Sequence, residues 1–266
     1  MIGREKEVKE LNKLYERNRA ELVAVYGRRR VGKTYLIDET FAGRITFRHA
    51  GLSPADEDAK GLLRAQLDHF YNSLILYGME KNRKPDNWLD AFLLLEQFLQ
   101  KTDDGSRQLV FLDELPWLDT PRSGFIRAFE GFWNNWGCHR KNLMVIVCGS
   151  ANSWMMNSLI NNHGGLYNRV TYEIKLSPFT LRECEAFFRA GNVRLSRYDI
   201  AQSYMIFGGI PYYMNYLDGE LNLAQNVDRI FFDREAILKD EYDRLFESVF
   251  VNPDVEKKLI EIIASK

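Results

Sequence analysis

The apolar positions in the first two thirds of the chain follow two spacings. Short runs rich in valine and leucine, such as ELVAVYG at 21–27 and QLVFLDEL at 108–115, predict buried strands. Apolar residues three or four positions apart, as over 5–17, predict helices. The other predicted strands are 44–49, 142–150 and 171–179, and the other predicted helices are 33–41, 54–101 and 125–136.

Strand and helix patterns alternate as far as residue 177, and only helical patterns follow Pro178. Nearly continuous apolar strands between helices are typical of a parallel sheet covered on both faces. We therefore predict an α/β three-layer sandwich with a five-stranded parallel sheet at 1–177, followed by an all-helical domain at 178–250.

A last helical pattern at 251–266 places Val255, Leu259, Ile262 and Ile263 on one face. Nothing follows this apolar face, so we expect the sequence to be a piece of a longer protein.

The composition excludes several classes of protein. The 266 residues carry a net charge of -1, so no overall charge attracts nucleic acid or membrane. No apolar run approaches the roughly 20 residues of a membrane span, and the charged N-terminus lacks a signal-peptide core. Neither the three cysteines nor the four histidines, His163 among them, show metal-ligand spacing. A cytoplasmic protein is expected.

The segment GRRRVGKT at 27–34 matches the pattern G-x-x-x-x-G-K-[ST] and lies between a predicted strand and a predicted helix. Glycines allow a loop to direct its N–H groups at phosphate oxygens, and the following helix offers its positive end. Lys33 suits the β- and γ-phosphates, and the Thr34 hydroxyl suits Mg²⁺. The predicted nucleotide contacts are Gly27, Arg28, Arg29, Arg30, Val31, Gly32, Lys33, Thr34 and Tyr35. The alternative is a basic surface turn.

Two acids, Asp113 and Glu114, end the third predicted strand, at the edge where open parallel sheets bind ligands. Asp113 is predicted to hold Mg²⁺ and Glu114 to deprotonate the attacking water. Consecutive strand residues face opposite sides, so both acids serve one site only if the backbone turns there. The alternative is a solvated strand end.

Ser150 follows the fourth predicted strand. If that strand neighbours the third, the Ser150 hydroxyl lies beside Glu114 and could contact the water or the γ-phosphate. The alternative is a turn or helix N-cap serine, and the same catalytic role is less favoured for Asn152.

Together these motifs resemble the P-loop ATPases of the AAA+ and STAND-like groups, and in particular the predominantly archaeal ATPase family. The motifs that carry the resemblance are GREKE at 3–7, GRRRVGKT at 27–34, DELPW at 113–117, GS at 149–150 and GGIP at 208–211, in that order along nearly the whole chain.

The resemblance implies an ATP and Mg²⁺ site between the sheet domain and a helical lid. It places Ile2, Gly3 and Arg4 against the adenine and Pro211 at the nucleotide from the lid. The alternative for the segment around Pro211 is an ordinary turn between helices.

Arg169 precedes the fifth predicted strand, where related ATPases carry an arginine that serves the active site of the same or a neighbouring subunit of a homo-oligomer. A solvated arginine is the alternative. No lid arginine matches the one that many AAA+ proteins carry, which favours a switch over a ring-forming motor. The resemblance also implies that 251–266 begins a winged-helix segment and that DNA is a candidate partner through the region beyond it.

Three functions remain open. The favoured one is Mg²⁺-dependent ATP hydrolysis that changes the conformation of an attached or partner effector. The others are a slowly hydrolysing ATP/ADP switch and a DNA-binding protein with an auxiliary ATPase. A kinase is less favoured because Glu114 indicates water as the acceptor.

Overall fold

A computed structural model describes residues 1–53, 58–161, 164–249 and 253–265 of the chain. The chain divides into two compact units, Gly3–Ser177 and Pro178–Lys266. The predicted boundary at 250–251 and His163 lie outside the described residues. The roles predicted for the two units stay predictions.

The first unit is built on a five-stranded parallel sheet, which confirms the predicted α/β fold. Its strands are β1 (Glu21–Tyr26), β2 (Phe47–Ala50), β3 (Gln108–Asp113), β4 (Leu143–Gly149) and β5 (Tyr172–Lys175). They lie in the order β2-β3-β4-β1-β5. The carboxyl ends of β1, β3 and β4 therefore meet at one edge, because parallel neighbours end on the same side.

Helices cover both faces of this sheet, as a three-layer sandwich requires. The helices are α1 (Glu5–Tyr15), α2 (Lys33–Thr40), α3 (Ala59–Leu76), α4 (Trp88–Lys101), α5 (Leu115–Leu118), α6 (Phe125–Asn135) and α7 (Asn152–Trp154). A 3₁₀ turn spans Gly137–His139, and a π-helical segment spans Met155–Ile160. One core contains Phe70, Trp88 and Phe129, and the core on the other face contains Leu11 and Ile37.

The helical pattern predicted over 54–101 is divided between two helices. Helix α3 ends at Leu76 and α4 begins at Trp88. Asn87 caps α4 by accepting a hydrogen bond from the Asp90 N–H at 3.0 Å. Pro85 lacks a backbone donor, so the intervening segment favours a loop.

The second unit is helical. Its helices are α8 (Leu181–Ala190), α9 (Arg197–Phe207), α10 (Pro211–Met214), α11 (Leu223–Val227), α12 (Glu241–Val249) and α13 (Pro253–Ala264), with a π-helical segment at Asp228–Phe232. Thr180 and Ser196 begin α8 and α9 with capping boxes. The core of this unit includes Phe188, Phe207 and Leu217.

Two details of the second unit go beyond the prediction of helical patterns after Pro178. The helical pattern over 223–249 is interrupted between Phe232 and Glu241, and α10 has only one turn. The apolar face of α13 is exposed, with Val255 at 67% and Ile263 at 65%. Its assignment to a winged-helix segment stays a prediction. Among the described residues, every helix is too short or too polar to cross a lipid bilayer.

Candidate functional site

The loop between β1 and α2 has the backbone conformation that its glycines permit. Gly32 has φ +91° and Gly27 has φ +150°, both unfavourable for residues with a side chain. A Cβ on Gly27 would lie 2.3 Å from the Leu176 carbonyl oxygen, so the loop packs closely against the end of β5. Helix α2 starts at Lys33, directly after the loop, and its first N–H groups have no partner within the helix. This geometry suits an anion.

The Lys33 ammonium group lies at the centre of the loop. It donates to the carbonyl oxygens of Gly27 at 3.0 Å and Arg28 at 3.1 Å, and to Ser150 Oγ at 3.3 Å. Burial lowers the pKa of Lys33, and the nearby Glu114 carboxylate acts in the opposite direction. The side chain thus places a mostly buried cation where phosphates would lie.

Asp113 and Thr34 bring two oxygens together beside Lys33. Thr34 Oγ1 donates to Asp113 Oδ2 at 2.7 Å. Burial raises the pKa of Asp113, and the hydrogen bond from Thr34 acts against that shift. A hydroxyl and a carboxylate oxygen are ligands that Mg²⁺ prefers, so the donor set fits this cation.

Glu114 leaves the strand, as the prediction of one site for both acids requires. Its φ is +44° and its ψ is 49°, and this turn directs the side chain to the end of β4. Ser150 donates from Oγ to Glu114 Oε1 at 2.6 Å and from its N–H to Oε2 at 3.3 Å.

Ser150 is not a helix N-cap, contrary to the alternative that the sequence left open. Ala151 precedes α7, and no side chain caps that helix. The β3 and β4 strands are neighbours, which is the condition for the contact between Ser150 and Glu114.

The three loop arginines differ in environment. The Arg29 guanidinium lies 5.5 Å from the ring centroid of Trp117, a cation–π distance, whereas Arg28 is exposed. Arg30 has φ +69°. Arg4, expected near the adenine, is buried and donates to the carbonyl oxygen of Val31 at 3.2 Å.

Gln66 on α3, for which the sequence analysis predicts no role, is only 3% exposed. Its amide nitrogen donates to the Trp117 carbonyl oxygen at 2.9 Å, next to the predicted base. One signal was present, because Gln66 is a polar residue at helical spacing from Leu63 and Phe70 on the apolar face of α3.

Within the first unit, one predicted site residue, Arg169, is not joined to this cluster. Arg169 is exposed, and in the described part of the chain no hydrogen bond or ion pair links its guanidinium to the loop or the acids. Pro211 begins α10 in the second unit, after Gly208 and Gly209 with φ of +67° and +66°. A nucleotide contact by Ile2 or Pro211 stays a prediction.

The fold and this set of residues define a P-loop ATPase domain. Residues 1–217 match the family described as the ATPase domain predominantly from Archaea, and the chain belongs to that family.

One similar curated protein is the uncharacterized protein MJECL04 of Methanocaldococcus jannaschii, 26% identical over 99% of this chain and 54% of the relative. The chain therefore spans about half the length of that relative.

Two solved structures share the fold. The Walker-type ATPase PABY2304 of Pyrococcus abyssi is 17% identical, with a TM-score of 0.57 over 100% of this chain and 77% of that chain. The ORC2 protein of Aeropyrum pernix in its ADP form is 15% identical, with a TM-score of 0.57 over 86% of this chain and 69% of that chain.

Proposed function

We propose that this protein binds ATP with Mg²⁺, hydrolyses it, and couples its nucleotide state to an attached or partner effector. One observation carries the proposal: Ser150 is hydrogen-bonded to both the Lys33 ammonium and the Glu114 carboxylate. The Thr34–Asp113 oxygen pair adjoins this cluster. A phosphate-binding cation, a base and a pair of hard oxygens are the groups that ATP hydrolysis requires.

The binding roles follow from the chemistry of each group. The loop N–H groups from Gly27 to Thr34 and the Lys33 ammonium bind the phosphates. Thr34 and Asp113 hold Mg²⁺, which supplies positive charge to the phosphate oxygens. An ion at this place also offsets the burial of the Asp113 carboxylate.

The hydrolytic role belongs to Glu114. Its carboxylate takes a proton from water while the water oxygen forms a bond to the γ-phosphorus. The bond from that phosphorus to the β–γ bridging oxygen breaks, and ADP leaves with the electron pair as phosphate is formed. Lys33 and the Ser150 hydroxyl lie beside Glu114 and stabilise the charge that develops on the γ-phosphate.

A second function, a slowly hydrolysing ATP/ADP switch, is favoured by the same contact. Ser150 donates to both carboxylate oxygens of Glu114, so the carboxylate that would act as the base is already engaged by Ser150. A base engaged in this way lowers the hydrolysis rate without affecting nucleotide binding. The ADP form in which the ORC2 protein was solved is compatible with either function.

Single-turnover hydrolysis distinguishes the two functions. Glu114→Gln removes the base, so an ATPase should lose about a hundredfold or more in rate while it still binds ATP.

Lys33→Ala should weaken binding of ATP strongly, as measured by calorimetry. Equal slow hydrolysis by wild type and Glu114→Gln would favour the switch, and unchanged affinity in Lys33→Ala would refute the phosphate-loop assignment.

The remaining roles are proposals of the same kind. Arg169 acts on γ-phosphate charge, Ile2, Gly3 and Arg4 lie at the adenine, and Pro211 approaches from the helical unit. The family resemblance supports them. An action on DNA stays a prediction.

A further inference from the structure

The side chain of Gln66 connects the segment after β2 to helix α5, which follows β3. Its Oε1 accepts from the Leu52 N–H at 3.0 Å, and its Nε2 donates to the Leu52 carbonyl at 2.8 Å and the Trp117 carbonyl at 2.9 Å. We call these three hydrogen bonds the Gln66 bridge. A buried amide with these partners holds the backbone at Leu52 and Trp117 in one relative position. Each hydrogen bond that is lost would leave a buried polar group unpaired.

The Gln66 bridge ends at the turn that carries Glu114. The Trp117 N–H donates to the Glu114 carbonyl at 2.9 Å, and the Gly51 N–H donates to the Asp113 carbonyl at 3.0 Å. A Cβ on Gly51 would lie 2.8 Å from the Glu114 carbonyl oxygen, so the segment after β2 and this turn are in close contact. The turn therefore rests directly on the segment that Gln66 holds.

The turn needs such support because its backbone is unfavourable. Glu114 has φ +44°, a conformation that costs a residue with a side chain free energy and persists only where the surroundings enforce it. If the turn relaxes, the Glu114 carboxylate moves relative to Ser150. The phosphate loop meets this turn through the Arg29 guanidinium over Trp117, but its backbone follows β1 and packs against the end of β5.

We propose that Gln66 is a positioning residue for Glu114: the Gln66 bridge holds the turn after β3 so that the carboxylate meets its water in the reactive orientation. The proposal rests on the proposed function of Glu114 as the base. Losing the bridge lowers the rate of hydrolysis and leaves nucleotide binding unchanged, since misplacement of a reacting group acts on the chemical step.

The test compares Gln66→Met with Gln108→Met. Methionine keeps the length of glutamine and removes its hydrogen bonds. Gln108 is a matched control, because it is 2% exposed and bonds the Leu99 carbonyl at 2.8 Å, but it begins β3 at the opposite end of the strand from Glu114.

Gln66→Met should lower kcat by about tenfold or more with KM and ATP affinity unchanged. Gln108→Met should leave kcat unchanged even where both variants lose similar thermal stability. Equal kcat in the two variants, or loss of ATP affinity in step with stability, would overturn the positioning role.

Gly51→Ala provides a second perturbation if Gln66→Met fails to fold. Its methyl group presses directly on the Glu114 carbonyl oxygen while the Gln66 side chain stays intact. The same pattern is expected, a lower kcat with unchanged KM. An unchanged kcat in a folded Gly51→Ala protein would contradict the proposal.

Hydrogen exchange separates this proposal from the proposed function. Gln66→Met should speed exchange of the Trp117 amide while amides of β1, such as that of Val25, keep their protection. This outcome is expected even if wild type hydrolyses no ATP. In that case the proposed ATPase function would be refuted, whereas the Gln66 bridge would still be supported. Unchanged exchange at Trp117 would overturn the bridge whatever the ATPase activity.

Discussion

At the scale of single residues, His49 shows how burial sets the charge of a side chain. It lies on β2, 2% exposed, and its Nδ1 is 2.9 Å from Ser73 Oγ. The His69 ring lies 4.8 Å away between centroids. Burial, with a smaller contribution from His69, lowers the pKa of His49 from 6.5 to about 3. The folded protein therefore keeps His49 neutral where the unfolded chain protonates it.

The sign of the resulting pH dependence follows from this difference. Above the unfolded pKa of His49 both states are neutral, so the residue has no effect there. As the pH falls below that value, the unfolded state binds the proton first. The free energy of unfolding therefore falls by about 3 kcal/mol between pH 7 and about pH 4.5. The loss ends near the folded pKa.

Urea unfolding at several pH values should show this loss in wild type, and His49→Phe should reduce it by a similar amount. His139 is exposed, so His139→Gln serves as the control and should leave the slope unchanged. An identical pH dependence in His49→Phe and wild type would show that His49 is not held neutral.

At the scale of elements, the phosphate loop depends on its contact with the end of β5. Gly27→Ala places a methyl group against the Leu176 carbonyl oxygen, and the backbone conformation is itself unfavourable. We expect a loss of more than about 2 kcal/mol in the free energy of unfolding, measured with urea.

Gly43→Ala is the matched control for Gly27→Ala. Gly43 also has a positive φ, +70°, but a Cβ there meets no atom within 4 Å. Only the backbone cost of about 1 kcal/mol should remain. Similar losses in the two variants would mean that the Leu176 contact is unimportant.

The local motifs explain which parts of the site the sequence could predict. The loop of Gly27, Lys33 and Thr34 is contiguous, and its chemistry depends on spacing alone. Asp113 was predictable because an apolar strand ends there. The contact of Ser150 with Glu114 could be predicted only on the condition that the third and fourth strands are neighbours. The sequence alone does not establish that strand order.

Other parts depend on packing that no short pattern encodes. Gln66 meets Trp117 only because α3 packs beside the turn after β3, across many residues of sequence. The break between α3 and α4 was missed because the apolar spacing on its two sides outweighed Pro85 and the Asn87 cap.

At the scale of the whole molecule, each unit has a hydrophobic core of its own. The sheet unit buries residues on both faces, and the helical unit buries a separate set around Phe188 and Phe207. A unit with its own core is expected to fold alone.

Residues 1–177 expressed alone should therefore remain folded and unfold cooperatively on heating, as followed by circular dichroism. They should keep some affinity for ATP, and Lys33→Ala in this shorter chain is the control for that affinity. A chain of 1–177 that shows no cooperative transition would mean that the first unit requires the second.

The strand order also bears on how the protein is made. Strand β1 is synthesised first, but its neighbours in the sheet, β4 and β5, are synthesised last. Pairings between distant parts of a chain form slowly, and the ribosome releases the N-terminal part first. The phosphate loop therefore leaves the ribosome well before Ser150 exists to bond Lys33. Until β4 is complete, β1 lacks its two neighbours in the sheet, so its apolar residues are open to chaperones during this interval.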